Sequence, residues 1–354
     1  MQVIAVANQK GGCGKTTTTI NLGACLALSR RGVLLIDLDP QAHASLGLGI
    51  EAKRTVYDVL SKITAQKLSL DEVIVKIEDN FDLAPSNIIL STLEQEMADE
   101  IGRESLLSDT IKNLKRNYDY ILIDCPPNLG LLTINAIRAA DRVIIPVETS
   151  RFSLIGVSHL IEIINLIKER LSHPVDYQIL VTIFDSRLRH SFKVLEKIKE
   201  KFKDKLFQTL IHTNVSLKEA QLSGQHIINY DKYCRGTKDY FSFSRELISQ
   251  EEPILEEKLE EILKAELPKL KEVVFQILVP EAKEVYLAGD FNNWTLDEES
   301  KLQRREDGAW FKKMSLNSGR YRYRFVIDGI WENDPSNPNT ESNPFGELDS
   351  LLIV

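Results

Sequence analysis

The chain has 354 residues, enough for two domains, and its 43% apolar content is ordinary for a globular protein. No run of roughly 18 or more apolar residues argues for a membrane-spanning helix, and the first residues read as a strand rather than as a charged-then-apolar leader. Net charge is −8, near-balanced up to about residue 250 and clearly acidic beyond it. The cysteines Cys13, Cys25, Cys125 and Cys234 lie far apart without C-x-x-C spacing, which argues against zinc or a disulfide framework and for a reducing cytoplasm.

In chain order, QVIAVANQ from Gln2 is an apolar run ending at a glycine loop, and it predicts a buried strand. Thr16 to Ser29 has helical spacing through Ile20, Leu22, Ala24, Leu26 and Ala27, with a stop at Arg30, Arg31 and Gly32. VLLIDLD from Val33 and YDYILIDCPP from Tyr118 are strands that end in acid. DRVIIPVETS from Asp141 and VDYQILVTIFD from Val175 repeat the form, and SLIGVSHLIEIINLIKERL from Ser153 is the clearest helix. Alternating strands and helices predict a doubly wound, mostly parallel α/β sheet over residues 1–250, with ligands expected beyond the C-terminal strand ends.

Residues 251–272 read as an acidic amphipathic linker helix, with Leu255, Leu259, Ile262, Leu263, Leu267 and Leu270 on one face. Docking on a domain is the plainer role and a coiled-coil contact the alternative. The Glu-rich polar face disfavours membrane binding. Residues 273–354 hold short alternating segments, VVFQILV, EVYLAGDF, AWFKKMSL and RYRYRFVIDG, which predict a small all-β, immunoglobulin-like sandwich.

The loop QKGGCGKTTTT almost fits G-x-x-x-x-G-K-[ST]. Gly14, Lys15 and Thr16 are in place, but Gln9 stands where the first glycine belongs and a second lysine, Lys10, follows it. Gly11, Gly12 and Gly14 permit positive-φ turns and close backbone approach to phosphate oxygens, and the helix after the loop aims its positive end there. Lys15 would neutralise the β- and γ-phosphates of a nucleotide, and Thr16 would place its hydroxyl on Mg²⁺. Asp37, Asp39 and Asp124 end apolar strands, so each needs a partner such as a hydrated metal. Capping of a following helix explains any one of them but not all three.

These residues carry a resemblance. QKGGCGKTTTTINLG, LLIDLDPQAHASLGLGI, YDYILIDCPPNLGLLTINAIRAAD and VIIPVETSRFSLIGV closely resemble the ParA/Soj family of partition ATPases, which includes the MinD relatives. The resemblance implies a P-loop NTPase fold and a Mg²⁺-dependent ATPase that is weak until a ParB-like activator or cargo protein stimulates it. It also implies an ATP-dependent homodimer. In the family the first glycine is dispensable, and a signature lysine, here Lys10, reaches the partner subunit's phosphates much as an arginine finger does. Nucleotide-binding positions fall on Gly11, Gly12, Cys13, Gly14, Lys15, Thr16 and Thr17, with Asn214 in the region lining the adenine. Asp39 would orient or activate water, Asp37 would lie near the metal, and Asp124 would hold it through water. MinD relatives carry a basic membrane helix, and the acidic one here favours the ParA branch.

ParA dimers bind DNA without sequence preference, which implies a nucleoid-associated location within the cytoplasm. The candidate contacts are Arg187, Arg189, Lys193, Lys197 and Lys201, with Lys218 further on. A solvated Lys/Glu helix face is the plainer alternative. Where the family reads close to IPRNVRLAEAPSFG, this chain has IHTNVSLKEAQLSG, so His212 replaces a proline, and Thr213 and Ser216 replace arginines.

KEVYLAGDFNNWT, GRYRYRFVIDGIWENDPSNP and FGELDSLLIV resemble the glycogen-binding module of the AMP-activated kinase β subunit. That implies an α-glucan ligand stacked on Trp294 and Trp331, with the family's sugar-contacting lysine falling on Arg324 and its late asparagine on Asp349. Trp310 reads as core, and protein docking is the other use of such a module. The rivals are a spatial organiser on DNA, a DNA-independent regulatory switch, and a biosynthetic enzyme of the same superfamily, for which the sequence offers no catalytic residues of its own.

Overall fold

The computed structural model describes residues 1–64, 67–150, 153–266, 270–343 and 347–354, with the side chains of 153–155 and 251–266 outside that description. The chain divides into two compact units, Met1–Pro253 and Ile254–Val354.

The first unit is built on strands β1 (Gln2–Val6), β2 (Val33–Asp37), β3 (Val75–Glu78), β4 (Phe81–Ala84), β5 (Tyr120–Asp124), β6 (Arg142–Glu148), β7 (Asp176–Phe184) and β8 (Leu206–His212). They form one sheet in the order β3-β4-β2-β5-β1-β6-β7-β8, parallel except for the β3–β4 pair. The expected strands are present at β1, β2, β5, β6 and β7. β3, β4 and β8 are additional to the strands expected from the sequence. β3 and β4 are four residues each and carry charges, and β8 mixes polar and apolar side chains, so none shows a long apolar run.

The central strands are apolar throughout because both faces are covered. Val3 and Ala5 of β1, Leu34 and Ile36 of β2, and Ile121 and Ile123 of β5 face one core, packed with Leu132, Ala136, Val157, Leu160 and Ile164 from the helices Leu131–Ala139 and Ser153–Arg170. Ile4 and Val6, Val33 and Leu35, and Tyr120 and Leu122 face the other, packed with Ile20, Leu22, Ala24 and Leu26 of helix α1 (Lys15–Leu28). Helices on both faces make the sheet doubly wound, as expected. The parity matters for the site. Asp37 and Asp124 share the parity of Leu35 and Leu122, so both carboxylates point to the α1 side.

The helix Arg235–Glu266 runs without interruption across the expected boundary at residue 250. Of the linker's proposed apolar face, the side chains from Leu255 to Leu263 and residue Leu267 lie outside the described residues, and Leu270 is exposed. No described helix is long and apolar enough to cross a membrane.

From Lys271 onward the second unit is built of antiparallel strands, in keeping with the expected sandwich. Its strands are β9 (Lys271–Leu278), β10 (Val285–Gly289), β11 (Gln303–Arg304), β12 (Ala309–Leu316), β13 (Arg320–Ile327), β14 (Ile330–Glu332), β15 (Thr340–Ser342) and β16 (Leu348–Ile353). One sheet runs β10-β13-β16-β15 with β14 on β13, and the other runs β11-β12-β9. Phe275, Ile277, Val285, Leu287, Trp310, Tyr323 and Phe325 form the core, so Trp310 is buried as expected.

Candidate nucleotide site and carbohydrate platform

The loop between β1 and α1 is shaped by two residues in the left-handed region, Gly12 (φ 71°) and Gly14 (φ 90°). Gly11 is not left-handed, so the positive-φ turns fall on the other two of the three glycines. A side chain there would meet nothing within 4 Å, so what its smallness keeps clear is open space. Braces hold the loop from neighbouring strands. Thr182 of β7 donates its hydroxyl to the Cys13 carbonyl at 2.7 Å. Asn8 accepts from the Lys10 N–H at 3.0 Å and donates to the Pro146 carbonyl at 2.6 Å, tying the loop's entry to β6. The Cys13 thiol donates to the Lys10 carbonyl and is buried, so it is a packing group here.

Lys15 opens α1 and is 7% exposed, with its ammonium donating to the Lys10 carbonyl at 3.0 Å. A buried ammonium has three donors to satisfy, and an anion in the loop would complete the set. Thr16 and Thr19, one turn apart, both donate to Asp124, at 2.7 and 3.1 Å. Thr17 lies within 3.4 Å of Gln221. Asp37 and Asp124 are paired residues of β2 and β5 and both are fully buried. Asp37 accepts from Ser45 N–H and hydroxyl at 2.9 and 2.7 Å and from the Asp39 N–H at 3.1 Å. Burial, and for Asp124 also the charge of Asp37, pushes both carboxyls above the ordinary carboxylate range. Two adjacent buried carboxylates that resist ionising are suited to a divalent cation. Among the described residues no cluster of three or more His, Cys, Asp or Glu surrounds them, so such a cation would draw further oxygens from Thr16, water and phosphate. Asp39 is 5% exposed, accepts from the Gln41 N–H at 3.0 Å and faces His43 at 3.9 Å.

Lys10 sits on its own subunit's groups. Its ammonium donates to Glu148, at the end of β6, and to the Ser150 hydroxyl at 3.0 Å. Burial alone would raise the Glu148 carboxyl. The hydrogen bonds from Lys10 and Ser150 outweigh it and hold the group below its ordinary value.

Asn214 begins the helix Val215–Leu222, and its Oδ1 is a buried acceptor without a protein donor among the described residues. An amino group such as adenine's would satisfy it. His212, in place of the family's proline, is fixed between Asp239 at 2.9 Å and Arg235 at 2.8 Å. Sequence reasoning missed Ser45, Glu148 and Thr182. For Glu148 the signal was a carboxylate closing the apolar run of β6.

Of the basic residues, Arg187 is bidentate to Asp185 in its own loop, at 2.9 and 2.7 Å, and this pairing holds the Asp185 carboxyl down at about 2. Arg189, Lys193 and Lys197 are exposed along the helix Arg189–Phe202, which follows β7. Lys218 is exposed on the helix that follows the adjacent strand β8. Lys201 donates to Ser158 at 2.9 Å.

In the second unit one concave pocket of about 480 Å³ brings together Trp294, Arg324, Trp331 and Asp349, with Arg322, Asn343 and Glu347. The two indoles lie 6.2 Å apart, tilted by 37°. Asn293 and Trp294 are both left-handed, and the indole N–H of Trp294 donates to Asp290 at 3.1 Å. Arg324 binds Glu347 and donates to the Trp331 carbonyl at 2.9 Å, so its guanidinium already serves the wall of the pocket. Asp349 is buried and accepts from Asn343 at 3.0 Å.

Residues 1–177 match a family model described as an AAA domain, and residues 273–354 match the glycogen recognition site of AMP-activated protein kinase. The sporulation initiation inhibitor protein Soj of Bacillus subtilis is 42% identical over 250 residues, covering 70% of this chain and 98% of that protein. The chromosome partitioning protein ParA of Myxococcus xanthus is 39% identical, covering 71% and 89%. Among solved structures, cobyrinic acid a,c-diamide synthase of Mycobacterium smegmatis, with bound ATP analogue and magnesium, superposes with a TM-score of 0.61 at 30% identity over 70% of this chain and 94% of that one. A left-handed glycine loop under a buried lysine, two strand-end carboxylates and these relatives together give the conclusion: the chain belongs to the Soj/ParA family of P-loop ATPases and carries a C-terminal module of the glycogen-recognition type.

Proposed function

We propose that this ATPase is a dimerising switch that acts as a spatial organiser of a replicon or other cargo through non-specific DNA contact, with an α-glucan platform at its C-terminus. The family makes it an enzyme that uses ATP and magnesium. Lys15 turns its ammonium to the phosphates, and Thr16, Asp37 and Asp124 hold the hydrated cation, which neutralises developing phosphate charge when bound. Asp39 accepts a proton from the attacking water, Asn214 takes the base, and Lys10 reaches the partner subunit's phosphates. ATP binding joins two chains and hydrolysis parts them.

The buried Lys15 ammonium, held by one carbonyl beneath the Gly12–Gly14 turn, is the observation that carries this reading. Light scattering tests it. The Asp39→Ala form should double in mass with ATP and magnesium, and a chain that stays monomeric overturns the switch.

A second reading, a DNA-independent regulatory switch, is favoured by one observation: Arg187 is already neutralised by Asp185. No gel shift at low salt would select it. For the second unit, the paired indoles in one pocket support α-glucan binding. Failure of the chain to be retarded by glycogen in a native gel would leave protein docking.

A further inference from the structure

Along β13 the cations Arg320, Arg322 and Arg324 alternate with Tyr321, Tyr323 and Phe325. Tyr323 and Phe325 enter the core, so Arg322 and Arg324 both stand on the outer face of the sheet, where the pocket with the two indoles lies. Arg324 is occupied by Glu347 and the Trp331 carbonyl. Arg322 is held from one side only. Gly289, the last residue of β10, pairs with Tyr323, and this register brings Asp290 beside Arg322. The Asp290 carboxylate accepts from the Arg322 backbone N–H at 2.8 Å, from its Nε and Nη2 at 3.2 Å each, and from the Trp294 indole N–H at 3.1 Å. Burial alone would raise this carboxyl. The hydrogen bonds from Arg322 and Trp294 outweigh it and hold the group below its ordinary value, so the pair is ionic. One carboxylate thus fixes two pocket side chains that come from different segments.

We propose that Arg322 is a further saccharide-contacting residue of this pocket, presented by Asp290, and that it fits the pocket to an uncharged α-glucan. The inference rests on the α-glucan reading given above, and neither Arg322 nor Asp290 is among the positions that the resemblance assigns to the sugar. The ion pair leaves both N–H bonds of Arg322 Nη1 without a protein acceptor among the described residues. The side chain is 33% exposed, so a ligand can reach it. Asp349, in the same pocket, is a buried carboxylate and can only accept, and its charge bears on the Arg322 guanidinium after that of Asp290. A sugar hydroxyl both donates and accepts. Neighbouring hydroxyls on one edge of a glucose unit would accept from Arg322 and donate to Asp349, while the C–H face of the ring lies on an indole. The charges that line the pocket cancel, Arg322 and Arg324 against Glu347 and Asp349, and Asp290 behind them adds a negative one. That balance suits a polyol better than a phosphate ester.

The test is calorimetric titration of the full chain with maltoheptaose, in wild type, Arg322→Gln, Asp290→Asn and the double variant. Arg322→Gln should weaken binding about 10-fold, the effect of losing a hydrogen bond from a charged donor. Asp290→Asn keeps an acceptor for the Trp294 indole and should weaken it less. The double variant separates contact from support, because it leaves no orphaned carboxylate beside Trp294. It should bind as weakly as Arg322→Gln. Recovery of wild-type affinity in the double variant would mean that Arg322 only neutralises Asp290, and the inference is overturned. It is also overturned if Arg322→Gln binds like wild type while Trp331→Ala does not bind, an outcome that leaves the α-glucan reading standing. If wild type binds neither maltoheptaose nor glycogen, the α-glucan reading itself falls, and this inference with it. A maltodextrin phosphorylated at C6 should bind less tightly than its unphosphorylated form. Tighter binding, lost in Arg322→Gln, would make the residue a phosphate contact and overturn the fit to an uncharged ligand.

Discussion

Asp37 and Asp124 stand opposite one another at the ends of neighbouring parallel strands, both without solvent exposure. Burial raises both carboxyls, so each is harder to ionise folded than unfolded. The protonated pair favours the folded state, and that contribution is fully present below the unfolded carboxyl value of about 4 and is lost as pH rises through the raised folded values. In chelator and without nucleotide, the thermal midpoint of Asp124→Asn should therefore rise relative to wild type from about pH 5 to pH 8. Magnesium with ATP should reverse the order at high pH. Parallel pH profiles for the two proteins would show that the pair does not titrate in this way.

Thr182 supports the phosphate loop from β7, although it is far from it in sequence. Thr182→Val leaves the Cys13 carbonyl without this buried donor. Affinity for a fluorescent ATP analogue should fall about 3- to 10-fold, the effect of one lost buried hydrogen bond, with little change in secondary structure. An unchanged affinity would mean the loop holds its shape without the brace.

DNA retardation should require ATP and weaken steeply between about 50 and about 200 mM salt. Because Asp185 already neutralises Arg187, Arg187→Ala should change the shift little. Arg189→Ala combined with Lys193→Ala and Lys197→Ala should reduce it strongly. The opposite order of effects would relocate the contact to the β7 loop.

Trp294 and Trp331 line the pocket proposed for α-glucan, whereas Trp310 is part of the core. Trp331→Ala should abolish retardation by glycogen while keeping the unfolding transition of the second unit. Trp310→Ala should lower that unit's stability by about 3–5 kcal/mol, as large-to-small core changes do. If Trp331→Ala unfolds the unit as Trp310→Ala does, its indole is structural.

Much of this architecture was legible because the chemistry is local. The glycine loop, the threonines and the acid-ended strands are contiguous motifs, and they fold into one site as their spacing suggests. β3, β4 and β8 were not legible, since short strands owe their state to neighbours that supply the pairing. Glu148 and Thr182 were hidden for a related reason, because each acts on a residue distant in sequence. In the second unit the four residues that the resemblance assigns to a sugar line one pocket. The prior engagement of Arg324 with Glu347 and the Trp331 carbonyl depends on tertiary placement and was not legible.

The left-handed backbone at Asn293 and Trp294 has a consequence for ligand binding. Side chains with a β-carbon seldom rest in this conformation, and here the Trp294 N–H is fastened to the Gly289 carbonyl while its indole is fastened to Asp290. The aromatic surface is thus already fixed in place, and little further freedom would be lost in binding the α-glucan proposed above. Loosening either tether should leave the ring present and the grip poorer, a defect of readiness rather than of contact.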